Sequence, residues 1–147
     1  MVAEIIREEH IVLKNHVTDW EESIQLASEP LLRDGYFSQN YMDAMINSVK
    51  EMGPYIVIAP EIAIAHARPD ENVQQVGLSL LKLENHINFS EDGHYASLIF
   101  VLSAIDNEAH LEILRNLATI LSDKEKVNAL IDATNAKQII NIFKEND

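Results

Sequence analysis

Tyr41, Met45, Val49 and Met52 recur at i, i+4, i+8 and i+11, the single apolar stripe of an amphipathic helix. Ser38 stands where such a helix is capped, and Gly53 with Pro54 where it stops. Upstream, Thr18 to Glu21 has the spacing of a capping box, with Trp20, Ile24 and Ala27 following at helical intervals. A helix is predicted over 19–29, with Pro30 at or near its end. From Tyr55 the period changes. "YIVIA" (55–59), "IAIAH" (62–66), "GLSLLKLE" (77–84) and "SLIFVLSAI" (97–105) are short apolar runs separated by turn-forming residues, and predict strands. The run at 98–102 is nearly continuous, as in a central strand covered on both faces, whereas "SLLKLE" begins to alternate near its end. Helical spacing returns through Leu111, Leu114, Leu117, Ala118 and Leu121. "SDKE" (122–125) reads as a second capping box, and "NAKQIINIF" (135–143) as a final amphipathic helix. Helices on both sides of a strand-rich middle predict an α/β fold, a three-layer α/β/α sandwich whose mixed central sheet is flanked by helices.

Composition narrows the class. The 147 residues suit one domain spanning 1–147, and 47% hydrophobic residues with 4 Gly and 4 Pro indicate a packed core without a linker. No cysteine is present, which excludes a disulfide scaffold, a cysteine zinc site and a thiol nucleophile. The N-terminal "MVAEIIREEHIVLKNH" mixes charge into each apolar run, so it is neither a signal peptide nor a membrane span, and no later run is long enough to insert into a membrane. A soluble, cytoplasmic protein is expected. The net charge of −13 disfavours nucleic acid and favours basic protein partners, although acidity also serves solubility alone. The apolar helix stripes suit a homodimer as well as a core.

Histidine carries the candidate chemistry. Of six, His10, His16, His86 and His94 lie in polar surroundings where a solvated imidazole needs no function. His66 differs. The strand that delivers it is built of small side chains, leaving room above the sheet, and Arg68 follows two residues later. Neutral imidazole is a competent nucleophile near pH 7 and guanidinium forks onto phosphate oxygens; a satisfied structural histidine is the other reading. The strand ending at Ile105 runs into "DNEAH", so Asp106 or Asn107 should cap a helix with His110 in its first turn, where anions are favoured. His66 and His110, from two strand ends, can then face one phosphoryl group; alternatively His110 only shields the core edge. No GxGxxG, GxxxxGK[ST] or GxSxG occurs, so no nucleotide or other cofactor is implied. A zinc site using His66 and His110 lacks HExxH or similarly tight spacing.

From about Thr18 to Phe143, and above all in "GPYIVIAPEIAIAHARPDENVQQVGLSLLKLENHINF", the chain resembles the enzyme IIA components of the bacterial phosphoenolpyruvate-dependent sugar phosphotransferase system, in the mannitol/fructose (type-2) superfamily. The joint occurrence of GPY, an IAP-like turn and HARP is most similar to the ascorbate-type branch. The resemblance implies that His66 is phosphorylated on Nε2 by HPr and passes the group to a cysteine of enzyme IIB, for coupled uptake of a sugar that IIA never holds. His66 Nδ1 should then be oriented by a neighbouring acceptor. "DNEAHLEIL" resembles the segment of the family's second active-site histidine, which makes His110 a donor to the phosphoryl oxygens.

Mannitol-type members carry an arginine upstream of the active histidine, and their spacing leads to Lys50 here. Lysine is a point charge without a bidentate fork. Lys50 and Arg68 are therefore both candidate phosphate-binding cations. HPr and IIB would dock in turn over a shallow crevice with an apolar ring and an acidic rim. The alternative is a IIA-like regulatory module that reports phosphorylation state to a protein partner without transport.

Overall fold

The computed structural model describes residues 2–145. A short helix α1 (Val2–Ile5) leads into strand β1 (Ile6–Lys14), followed by helices α2 (Trp20–Arg33) and α3 (Gln39–Met52). Strands β2 (Val57–Ala59), β3 (Glu61–Ala65), β4 (Gly77–Asn88) and β5 (Tyr95–Ser103) come next, then α4 (Asn107–Leu121), α5 (Lys124–Asp132) and α6 (Ala136–Glu145). The five strands form one sheet in the order β1-β4-β5-β3-β2. β1 is parallel to β4, β3 is parallel to β5, and the β4–β5 and β2–β3 pairs are antiparallel, so the sheet is mixed as expected.

Two hydrophobic clusters cover its two faces, which makes the predicted three layers. Ala63, Ala65, Leu81, Leu83, Ile99 and Val101 turn toward α2 and α3. Ile62, Ile64, Leu80, Leu98, Phe100 and Leu102 turn toward α4, α5 and α6. β5 is the middle strand and its residues 96–103 are buried throughout, in keeping with its unbroken apolar run.

β1 was not expected as a strand: "IREEHIVLK" exposes Arg7, Glu8 and Glu9, and its register on β4 shifts between Ile6 and Ile11, so it lacks clean alternation. It is an edge strand, where charge discourages further pairing. α2 continues past Pro30 to Arg33, because burial of Pro30 and Leu31 holds one more turn. Both capping boxes move by one residue. Asp19, not Thr18, accepts from Glu22 N at 2.8 Å, and Asp123, not Ser122, accepts from Glu125 N at 2.9 Å. A carboxylate beside the positive end of a helix adds charge to the cap hydrogen bond. Ser38 does precede α3, but its hydroxyl turns to Asn72 Oδ1 at 3.1 Å rather than capping the helix. The stripe Tyr41, Met45, Val49 is buried as expected, whereas Met52 is 66% exposed. Gly53 explains this: its φ of +88° breaks the helix just beyond Met52.

Candidate functional site

β3 and β5 run parallel, and the chain leaves both at their C-terminal ends, where a crevice opens in an α/β sheet. His66 is the first residue past β3. Strand alternation places it on the face of Ile62 and Ile64, toward α4. His110 stands three and seven residues before the buried Ile113 and Leu117, so the same face of α4 turns it toward the sheet. The two imidazoles meet there, their ring centres 5.2 Å apart at an interplanar angle of 67°.

The tautomer of His66 follows from its hydrogen bond. Nδ1 lies 2.8 Å from the Ile64 carbonyl, which can only accept, so Nδ1 carries a proton, and in the neutral ring Nε2 keeps its lone pair. Tyr55 stands edge-on to the ring at 5.7 Å, its hydroxyl 3.5 Å from the His66 carbonyl. His110 is half-buried, with Nε2 shielded from solvent and without a hydrogen-bond partner among the described residues. Burial, and secondarily the neighbouring His66, hold the His110 pKa below its ordinary value. Its ring is therefore neutral near pH 7, with a buried nitrogen that no group among the described residues satisfies.

α4 begins as the sequence implied. Asp106 is the N-cap, accepting from Ala109 N at 2.8 Å, and His110 closes the first turn with its N–H on Asp106 O at 3.1 Å.

A cleft of about 450 Å³ spans the pair, lined by Ala44, Ser48, Met52, Tyr55, His66, Ala67, Arg68, Asp70 and His110. Arg68 is its cation. Lys50 does not reach it: Nζ lies 3.3 Å from Glu21 Oε1 on α2. Helical phase is the reason, since Ala44, Ser48 and Met52 share the cleft-facing side of α3 and Lys50, two residues from Ser48, is turned to the far side. Ser48, Tyr55 and Asp70 were not singled out from the sequence; GPY alone pointed to Tyr55.

The remaining histidines lie elsewhere. His10 is not solvated as expected: it is 1% exposed, with Nε2 2.8 Å from Asp34 Oδ2. This hydrogen bond is the main reason the Asp34 carboxyl sits below its usual pKa. His16 and His86 are exposed and His94 bonds Ser90. Among the described residues no group of three or more His, Asp or Glu is arranged to hold a metal ion, and no helix is long and apolar enough to cross a membrane.

Known proteins share this arrangement of chain. Residues 4–146 match the family described as "Phosphoenolpyruvate-dependent sugar phosphotransferase system, EIIA 2". The mannitol-specific cryptic phosphotransferase enzyme IIA component of Escherichia coli (strain K12) is 32% identical over 136 residues, 92% of each chain. A solution structure of the mannitol-specific cryptic phosphotransferase enzyme IIA from Escherichia coli has a TM-score of 0.90 at 31% identity, covering 99% of both chains. The ascorbate-specific EIIA component of Salmonella choleraesuis (strain SC-B67) is 26% identical over 135 residues, 90% of this chain and 88% of the relative. The mannitol enzyme IIA of Escherichia coli, solved in complex with phosphorylated enzyme IIB, shares the fold at TM-score 0.85 and 23% identity, over 96% of this chain and 99% of that one.

Proposed function

The chain belongs to the EIIA type-2 family of the phosphoenolpyruvate-dependent sugar phosphotransferase system, and from that premise we propose that it is a cytoplasmic phosphocarrier: His66 Nε2 accepts a phosphoryl group from the phosphohistidine of HPr and yields it to a cysteine of an enzyme IIB. One observation carries this reading. His66 is held by its Nδ1–H on the Ile64 carbonyl, with Nε2 left as the nucleophilic nitrogen in a cleft that it shares with His110 and Arg68.

In the forward step the Nε2–P bond forms as the donor N–P bond breaks, and the bonding pair returns to the donor nitrogen. The protein supplies position and electrostatics. Positive charge grows on the His66 ring as Nε2 bonds phosphorus, and the Ile64 carbonyl dipole at Nδ1–H favours it. The equatorial oxygens fall to the His110 ring nitrogen that lacks a protein partner and to the Arg68 guanidinium. Onward transfer reverses the bond changes at Nε2, with a IIB thiolate as nucleophile. An open cleft suits both steps because the phosphoryl group must leave again.

Partner choice follows from the surface. Met52, Tyr55, Ile105 and Leu111 are exposed on the segments that carry the cleft, and Glu51, Asp70, Glu108 and Glu112 are exposed beside them. Apolar contacts within an acidic margin fit a basic partner that docks briefly. The complex formed by the mannitol enzyme IIA supports IIB as the second partner.

The test is transfer of labelled phosphate from phosphoenolpyruvate through enzyme I and HPr. Wild type should be labelled, and should lose the label to a purified IIB. His66→Ala should take up none, and full labelling of that variant would end the assignment. Wild type that keeps its label in the presence of IIB would be a reporter of phosphorylation state and not a carrier.

A further inference from the structure

Tyr41 lies in the apolar stripe of α3, 1% exposed, with its ring 4.9 Å from that of Phe37. Packing alone would be served by phenylalanine. The hydroxyl is engaged in something else. In the last parallel step of β3 on β5, Ala65 lies opposite Val101. One further step of the ladder would join the Ala67 N–H to the Leu102 carbonyl. The Tyr41 oxygen occupies that place, donating to the Leu102 carbonyl at 2.8 Å and accepting from the Ala67 N–H at 3.2 Å. The Ala67 carbonyl stands 3.3 Å away on the same side.

Two hydrogen bonds in series replace one that would measure about 2.9 Å. The strand ends are thus held apart by the width of an oxygen atom, at the point where the sheet gives way to the cleft. Ala67 directly follows His66, and Leu102 stands four residues before Asp106, the cap of the helix carrying His110. The phenol therefore joins the two chain segments that carry the two histidines.

We propose that Tyr41 is a positioning residue for the reacting site: its hydroxyl, inserted between the ends of β3 and β5, sets the separation of His66 and His110 across the cleft. The proposal builds on the phosphocarrier reading, because that reading makes the separation matter. Burial pushes the Tyr41 pKa up to about 12, so the hydroxyl keeps its proton and can donate and accept at any working pH. Deleting the oxygen leaves two outcomes for Ala67 and Leu102. They close into a direct bond, or both stay unpaired, and each moves His66 relative to His110.

Tyr41→Phe removes the oxygen and keeps the ring. With imidazole nitrogens labelled, the NMR titration of His110 in this variant should move from its wild-type position, upward where unpaired ends loosen its burial and downward where the ends close on it. The turnover of phosphoryl acceptance from phospho-HPr should fall by about 10- to 100-fold, the scale of a displacement near 1 Å, while KM for HPr stays within about twofold. Val49→Ala, a cavity in the same helix face, controls for lost stability and should leave the titration in place. An unchanged His110 titration in Tyr41→Phe overturns the proposal, and so does an equal shift in Val49→Ala. Should Tyr41→Phe not fold, wild type decides: a slowly exchanging phenolic proton coupled to the Leu102 carbonyl carbon supports the bridge, and a freely exchanging one removes it. The NMR comparison needs no HPr, so a wild type that HPr fails to phosphorylate would end the phosphocarrier reading and leave the bridge itself to be judged.

Discussion

Replacing His110 by alanine removes the imidazole that faces His66 and leaves His66 itself untouched. The ring centres are 5.2 Å apart, close enough for the neutral His110 imidazole to reach an oxygen of a phosphoryl group carried on His66. A hydrogen bond from an imidazole N–H to a charged phosphoryl oxygen is worth about 1.5–3 kcal/mol. The phosphohistidine should therefore lose about 1.5–3 kcal/mol, roughly 10- to 150-fold in equilibrium and forward rate. Rapid-quench measurement of label transfer from HPr and to IIB reads both half-reactions. His110→Gln, which keeps a neutral N–H donor, should recover part of the loss. Rates and equilibrium within twofold of wild type in His110→Ala would refute the argument.

The same residue gives the experiment a pH axis. In the resting protein the folded pKa of His110 lies below the ordinary 6.5 because of burial and then His66. The unfolded chain therefore binds the proton first, so folding stability is complete above about 6.5 and declines as pH falls from there toward the folded value. A phosphoryl dianion on His66 acts in the opposite direction and raises the His110 titration. The wild-type transfer equilibrium should consequently favour phosphorylated protein more as pH falls through that titration, and His110→Gln should abolish the trend.

Two further predictions concern the surroundings. Lys50→Ala should change neither half-reaction by more than about twofold, since the side chain pairs with Glu21 at the surface, while Arg68→Lys should slow transfer by about tenfold through loss of the fork; a larger effect at Lys50 than at Arg68 in the label assay would invert the assignment. Asp106→Ala should cost about 0.5–2 kcal/mol in chemical denaturation through the lost cap, and loosening of the first turn of α4 should slow the His110-dependent step; unchanged stability would show the cap to be dispensable.

Much of the architecture is written in local periodicity. β5 could be placed at the centre because 98–102 is apolar without interruption, and only a strand covered on both faces needs that. β1 could not be read, since an edge strand carrying Arg7, Glu8 and Glu9 has little buried surface to impose a pattern. His66 and His110 were legible by their places at the end of a strand and the start of a helix, and by the resemblance running from GPY through HARP. His10 is illegible for the complementary reason: its charged neighbours in sequence point outward, while its own ring meets Asp34 from a segment 24 residues away.

By itself, then, the sequence determined the class of fold and the family and marked His66 and His110 as candidates, because periodicity and motif spacing are properties of neighbouring residues. Tertiary structure alone decided which cation enters the cleft and how the His66 ring is held. Lys50 and Arg68 are chemically similar candidates on paper, and only the phase of α3 against the sheet turns one to Glu21 and leaves the other beside His66. Tyr41 belonged to an ordinary core stripe until the ends of β3 and β5 were seen to meet at its oxygen. Such contacts join residues 26 and 61 positions apart, and distance along a chain says nothing of them until the sheet is closed.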